Sequence, residues 1–374
     1  MRYQPELDGI RALAVLAVLA SHSGIALAQG GWTGVEVFFV LSGYLITRLL
    51  LAERDTTGRI DLGRFYVRRA LRLFPALALV LVAGLAFHDR LGDGTLTGYG
   101  RAALTAGLYL QDFVAGCTGS ADGGFGHTWS LAVEEQFYLI WPVVLVLVLR
   151  RRRDPLVWAT VGVAAGWLSM VVSLRPSPEG VPFASYYLPW NQFPQLLVGA
   201  ALAVVVARRA VPRAVGRAGF GWTAVACCAC VAGLAASSGR YPGLAWQAPA
   251  VALATAGLLW HLAADTGSPV RRTLSIPPLV WLGRRSYGIY LFHVPVLEVL
   301  QASVPWRRSV ITLAMLAITL VVAALSYRYV ESPFLRWKNR LGPPAPRGDV
   351  PPPRPGSRPS HADPRRRPRV RATP

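Results

Sequence analysis

Apolar residues gather along this chain into long blocks, most of them close to the roughly 20 residues that an α-helix needs to cross a bilayer. Their limits predict spans at 7–27, 34–52, 71–87, 133–149, 156–174, 192–207, 219–236, 246–264, 279–302 and 310–330. A further block, 101–116, is short and carries Gln111 and Asp112. The expected fold class is all-α: a polytopic membrane protein with ten transmembrane helices and one short re-entrant or interfacial segment at 101–116.

Charged positions set the orientation. Arginine concentrates in 48–72, 150–153, 208–217, 271–285 and beyond 336, and positive loops stay on the cytoplasmic side. Counting 101–116 as a full crossing would put Arg150 to Arg153 outside, whereas a re-entrant segment leaves all five clusters inside. Ten crossings with both termini cytoplasmic follow, in the inner (cytoplasmic) membrane. Arg307 and Arg308 then fall on the outer side, against the trend.

Composition agrees, with 53% apolar residues and a mean hydropathy of +0.38. A net charge of +20 also suits a nucleic-acid binder, but in a multi-span chain basic loops and a basic tail meet anionic lipid headgroups. No nucleic-acid partner is expected. Residues 341–374 are rich in proline and arginine, too poor in aliphatic side chains to build a core, and read as a disordered cytoplasmic tail behind a membrane domain at 1–340. Ala26-Leu27-Ala28 resembles a signal-peptidase site, but Arg11 and His22 interrupt the preceding apolar run. Cys227, Cys228 and Cys230 share one span, and Cys117 stands alone in an outer loop; neither a metal site nor a disulfide is expected.

Arg11 and His22 carry the first chemical signal. They lie eleven positions apart in one span, about three helical turns, so both share a face and stand roughly 16 Å apart along the axis. Ionisable side chains inside a membrane span mark functional positions.

Several motifs then occur in order: Leu7-Asp8-Gly9-Ile10-Arg11 with His22; Gly34-Val35-Glu36-Val37-Phe38-Phe39 running into Leu41-Ser42-Gly43-Tyr44-Leu45-Ile46; Arg68-Arg69-Ala70-Leu71-Arg72; Trp129-Ser130-Leu131-Ala132-Val133-Glu134-Glu135-Gln136-Phe137-Tyr138; and Ser286-Tyr287-Gly288-Ile289-Tyr290-Leu291-Phe292-His293. Over residues 3–335 the chain resembles the membrane-bound acyltransferase family 3, the group of O-antigen and exopolysaccharide O-acetylases. The resemblance implies an acyltransferase at 1–340 that moves an acyl group, acetyl foremost, from acyl-coenzyme A to a hydroxyl of a glycan, glycolipid or glycosylated metabolite. Some family members carry a soluble SGNH-type esterase domain after the membrane unit, and the tail here is not expected to encode one.

Residue chemistry fits acyl transfer. A hydroxyl attacks a thioester only as it loses its proton, and imidazole suits that task near neutral pH, which makes His22 the candidate base. Glu36, across a short turn, is the candidate carboxylate partner for that ring; its plainer reading is a headgroup-level charge. Arg68, Arg69 and Arg72 are read as opening the third span, where cations oppose the helix dipole unless an anion is bound. A donor phosphate would resolve that conflict, with Arg11 further along the donor's path. Ser130 and Glu134 are placed for the acceptor. Glu134 and Glu135 point about 100° apart, so one of them, Glu134 in preference, should face the cavity. Tyr290 and His293 suit an acceptor pocket, and His293 is the rival base. The alternative class is a secondary transporter or exporter using the same buried polar groups. No metal is expected.

Overall fold

The computed structural model describes residues 3–22, 26–91, 93–118, 124–173, 183–208, 233, 244–264 and 267–340. Among them the fold is all-α, with no strand. The helices are α1 (Pro5–His22), α2 (Thr33–Thr57), α3 (Leu62–Leu85), α4 (Leu96–Gly107), α5 (Gln111–Thr118), α6 (Trp129–Arg150), α7 (Pro155–Ser173), α8 (Phe183–Tyr187), α9 (Pro189–Ala207), α10 (Leu244–Ala264), α11 (Pro269–Leu274), α12 (Pro277–Ser303), α13 (Arg308–Ser326) and α14 (Ser332–Arg340). The expected span 219–236 with its three cysteines, apart from residue 233, and the tail 341–374 lie outside the described residues.

Among the described residues six helical segments are long and apolar enough to cross a membrane: Gln29–Thr57, Gly126–Arg150, Pro155–Ser173, Ser185–Ala207, Trp246–Ala264 and Arg308–Arg340. The chain is a multi-pass membrane protein. Its outer faces fit hydrocarbon, as on α7, where Val157, Trp158, Val161, Leu168 and Val172 are exposed. Helices α1, α3 and α12 are also long, at 18, 24 and 27 residues, but interrupt their apolar pattern with charge. Arg11 and His22 lie on α1, Arg64, Arg68, Arg69 and Arg72 on α3, and Arg284, Arg285 and His293 on α12. These three helices build the site.

Within block 101–116, α4 ends at Gly107, Tyr109 takes a left-handed φ of 55°, and α5 starts afresh at Gln111. Asp112, fully buried, accepts from the Gln136 side-chain amide at 3.0 Å and so pins α5 to α6. The third long helix starts at Leu62 rather than 71, because Asp61 caps it by accepting the Arg64 N–H at 2.9 Å. Arg68, Arg69 and Arg72 therefore lie well inside the helix. The dipole argument for an anion fails, since it acts only within the first turn.

Helices α1 and α12 run side by side in the same direction. Gly283 abuts the Asp8 backbone, where any Cβ would overlap the carbonyl, and further along His22 meets His293. Gly199 lets α9 close on the Val40 carbonyl of α2 in the same manner. Small residues at such crossings allow backbones to approach in a membrane interior.

Candidate active site

A cavity of about 560 Å³ opens between α1, α2, α3 and α14. Its lining includes Arg11, Arg64, Arg68, Arg69, Arg72, Arg284 and Lys338, against Asp8, Glu53 and Glu331. That volume suits a sizeable ligand, and the charge excess favours an anionic one. A narrower space shares Arg11, Ser42, Arg69, Arg72 and Tyr287 with this mouth and continues to Ser130, Glu134, Glu135 and Tyr290.

Arg69 is held by the protein itself. Its Nη2 donates to Glu134 Oε1 at 3.2 Å, its Nε to Glu135 Oε1 at 3.4 Å, and its guanidinium carbon stands 3.6 Å from the centroid of the Tyr138 ring. Glu134 Oε1 also accepts from Ser42 Oγ at 2.5 Å and from the Tyr138 hydroxyl. The two glutamates were expected to divide, one toward the cavity and one away. Both line it, because one guanidinium fork spans the angle between neighbouring side chains.

Arg72, one turn further along α3, lines both parts of the cavity with Arg11. Arg11 reaches only Asp8, at 3.8 Å, and Asp8 also faces Arg284 at 3.7 Å and accepts from the Tyr3 hydroxyl at 2.5 Å. Among the described residues no carboxylate pairs with Arg72, Arg68 or Lys338. Like charges gathered around a cavity repel until an anion arrives.

The structure turns Glu36 toward α8. The carboxylate is fully buried; Oε1 accepts from the Tyr186 hydroxyl at 3.1 Å, while Oε2 has no hydrogen-bond partner. The helix period explains this. Gly34 is the residue that packs on Ala14 and Val18 of α1, and two residues later the side chain points about 200° away from that face.

His22 instead meets an imidazole. Its ring and that of His293 stand edge to face with centroids 5.0 Å apart, and His293 meets His127 in the same way at 5.2 Å. Tyr290 packs on both inner histidines, at 5.6 Å from His127 and 5.4 Å from His293. Its hydroxyl donates to the His127 carbonyl at 2.7 Å and is 2.6 Å from Ser130 Oγ. Ser130 and Tyr290, expected separately for the acceptor, thus form one unit.

Backbone carbonyls fix the tautomers, since a carbonyl can only accept. His22 Nδ1 lies 2.9 Å from Val18 O and His293 Nδ1 2.6 Å from Tyr290 O, so in both rings Nδ1 carries the proton and Nε2 is basic. His127 is reversed, with Nε2 3.2 Å from Leu291 O and Nδ1 basic.

Comparison with known proteins turns this geometry into a family assignment. The family model described as an acyltransferase domain matches residues 4–328, most of the chain. The chain belongs to the membrane acyltransferase family 3. Among curated relatives it is 33% identical over 353 residues to the peptidoglycan O-acetyltransferase OatA of Listeria monocytogenes, covering 89% of this chain and 56% of that protein. It is 28% identical over 351 residues to the O-acetyltransferase OatA of Staphylococcus aureus strain NCTC 8325, covering 89% and 57%. The chain therefore spans about half the length of the curated relatives it matches. No solved structure matches it.

All five motifs line or support the cavity. His127, Tyr138, Ser42, Arg284 and Lys338 are additions that sequence reading left unassigned. Tyr138 and Ser42 stand inside the quoted motifs, and His127 lies two residues before one of them.

Proposed function

We propose that this chain transfers an acetyl group from acetyl-coenzyme A, admitted from the cytoplasm, to a hydroxyl of a glycan, glycolipid or glycosylated metabolite. The carrying observation is one continuous series of contacts: a basic mouth, a narrow extension to Ser130 and Tyr290, then the rings of His293 and His22. A long donor with an anionic head and a thin reactive arm matches the mouth and its narrow extension, which reaches Tyr290, one ring contact from His293. Arg72, Arg68 and Arg11 hold its phosphates, with Lys338 and Arg284 at the rim. Arg69 positions Glu134 and Glu135 rather than binding phosphate, because both carboxylates already neutralise it.

In this reading His22 takes the acceptor proton on Nε2. Glu36 supports the site from behind through Tyr186, and Ser130, Glu134 and Tyr290 line the passage near the reacting groups. Helices α1, α3 and α12 join the six apolar segments as crossings, and with the span 219–236 they make ten. Both termini then lie in the cytoplasm and the protein in the inner membrane, its basic loops against anionic lipid.

The test is coenzyme A release by the purified chain in lipid nanodiscs, with acetyl-coenzyme A and a glycan acceptor. Acceptor-dependent thiol release with an acetylated product supports the reading. Solute flux across proteoliposomes without thiol release would support a transporter instead.

A further inference from the structure

Among the described residues, two nitrogens in the histidine cluster have no hydrogen-bond partner. His293 Nε2 and His127 Nδ1 are both buried without a hydrogen-bond partner, and both carry lone pairs by the tautomers above. A buried acceptor left unpaired costs roughly 1–3 kcal/mol and calls for a reason. His127 has a structural task, since its Nε2 donates to the Leu291 carbonyl that Pro295 leaves without a helical partner, but that task uses neither His127 Nδ1 nor His293 Nε2.

Depth along the helices suggests the reason. From the Asp8–Gly283 contact His22 is fourteen residues along α1, while His293 is ten along α12. At 1.5 Å per residue the His22 backbone stands about 6 Å further along the helix pair than the His293 backbone, and the two rings, with centroids 5.0 Å apart, close part of that offset. A donor whose phosphates stay at the basic mouth threads its acyl end outward, so its sulfur trails on the inner side of the carbonyl. Deprotonation of the acceptor then belongs to the outer imidazole, and the departing thiolate forms nearer the inner one.

We propose that His293 is a second catalytic residue, the general acid that returns the proton to the coenzyme A sulfur, with His127 beside it to stabilise the transient imidazolium. The inference rests on the acyl-coenzyme A reading above. The acceptor O–H breaks as His22 Nε2 takes the proton, and the oxygen bonds to the thioester carbon. The C–S bond then breaks with its electron pair going to sulfur. The proton passes from His22 Nε2 to His293 Nε2 across the edge contact and on to the thiolate. Both rings end neutral, in the tautomers in which they began.

Leaving-group chemistry tests this, because an acidic thiol departs without a proton. His293→Asn keeps an N–H for the Tyr290 carbonyl and removes Nε2; His127→Gln does the same for the Leu291 carbonyl and removes Nδ1. The full chain in nanodiscs is assayed with acetyl-coenzyme A, S-ethyl thioacetate and S-phenyl thioacetate, using one acceptor. His293→Asn should lower kcat with acetyl-coenzyme A and the ethyl thioester by about 100-fold, as loss of a general acid does, with donor KM kept within about threefold. With the phenyl thioester it should return to within about tenfold of the parent, whereas His22→Asn, lacking the base, should not recover. His127→Gln should follow His293→Asn at smaller amplitude. Equal losses with all three donors, or no loss, would overturn the role of His293. A parent chain that transfers from none of them would overturn the acyltransfer reading itself and the proton return with it.

Discussion

His22 and His293 meet edge to face with their centroids 5.0 Å apart, and each holds its Nδ1 proton on a carbonyl of its own helix. The contact joins the C-terminal end of α1 to the middle of α12, positions 271 residues apart in the chain.

The arginines of α3 should separate by function. Arg72→Gln removes a cation with no carboxylate partner, so donor KM should rise by about tenfold or more, the loss of one charge-assisted phosphate contact, while the melting temperature holds. Arg69→Gln leaves Glu134 and Glu135 without their cation in a buried site, and such losses run to about 3–5 kcal/mol. Steady-state kinetics and thermal melts on both variants check this. A stable Arg69→Gln protein with only a raised donor KM would return Arg69 to the phosphate.

Tyr186 and Glu36 should act together. Tyr186→Phe removes the hydrogen bond to Glu36 Oε1, and Glu36→Gln keeps an acceptor there while removing charge. Residues in such direct contact couple by about 0.5–3 kcal/mol. A double-mutant cycle on kcat/KM reads that coupling, and additive losses would show that Glu36 acts independently of Tyr186.

Gly283 sets the α1–α12 approach. Gly283→Val should force α12 from the Asp8 carbonyl, destabilise the fold by about 1–3 kcal/mol or more, and separate the two histidine rings. Pairs of cysteines introduced near the outer ends of both helices should then cross-link more slowly than in the parent. Unchanged stability and cross-linking would mean that the close approach does not hold the register.

Much of the architecture was legible in apolar block length, which is a local property. The motif residues were legible too, as polar groups where lipid forbids them without a purpose. Their partnerships were not. Ser42 meets Glu134 across 92 positions and Arg69 meets Glu134 across 65, and nothing in local periodicity encodes such pairings. Glu36 was assigned to His22 by loop proximity, whereas the helix period directs it to Tyr186. The start of α3 was misplaced because Arg64, Arg68, Arg69 and Arg72 break its first turns and hide the helix from an apolar scan, although Asp61 as a cap gave the clue. His127 escaped because it lies in the short turn Gly126–Thr128, outside any periodic element.

The central claim is that an imidazole beyond a basic, inward-facing mouth performs acyl transfer, and His22→Ala tests it most directly. Coenzyme A release and coenzyme A affinity are measured on the same nanodisc preparation, with the parent alongside. Release should fall by about 10²- to 10⁴-fold, while affinity for coenzyme A, set by Arg72 and its neighbours, stays at the parent value. Turnover by His22→Ala at the parent rate would contradict the account.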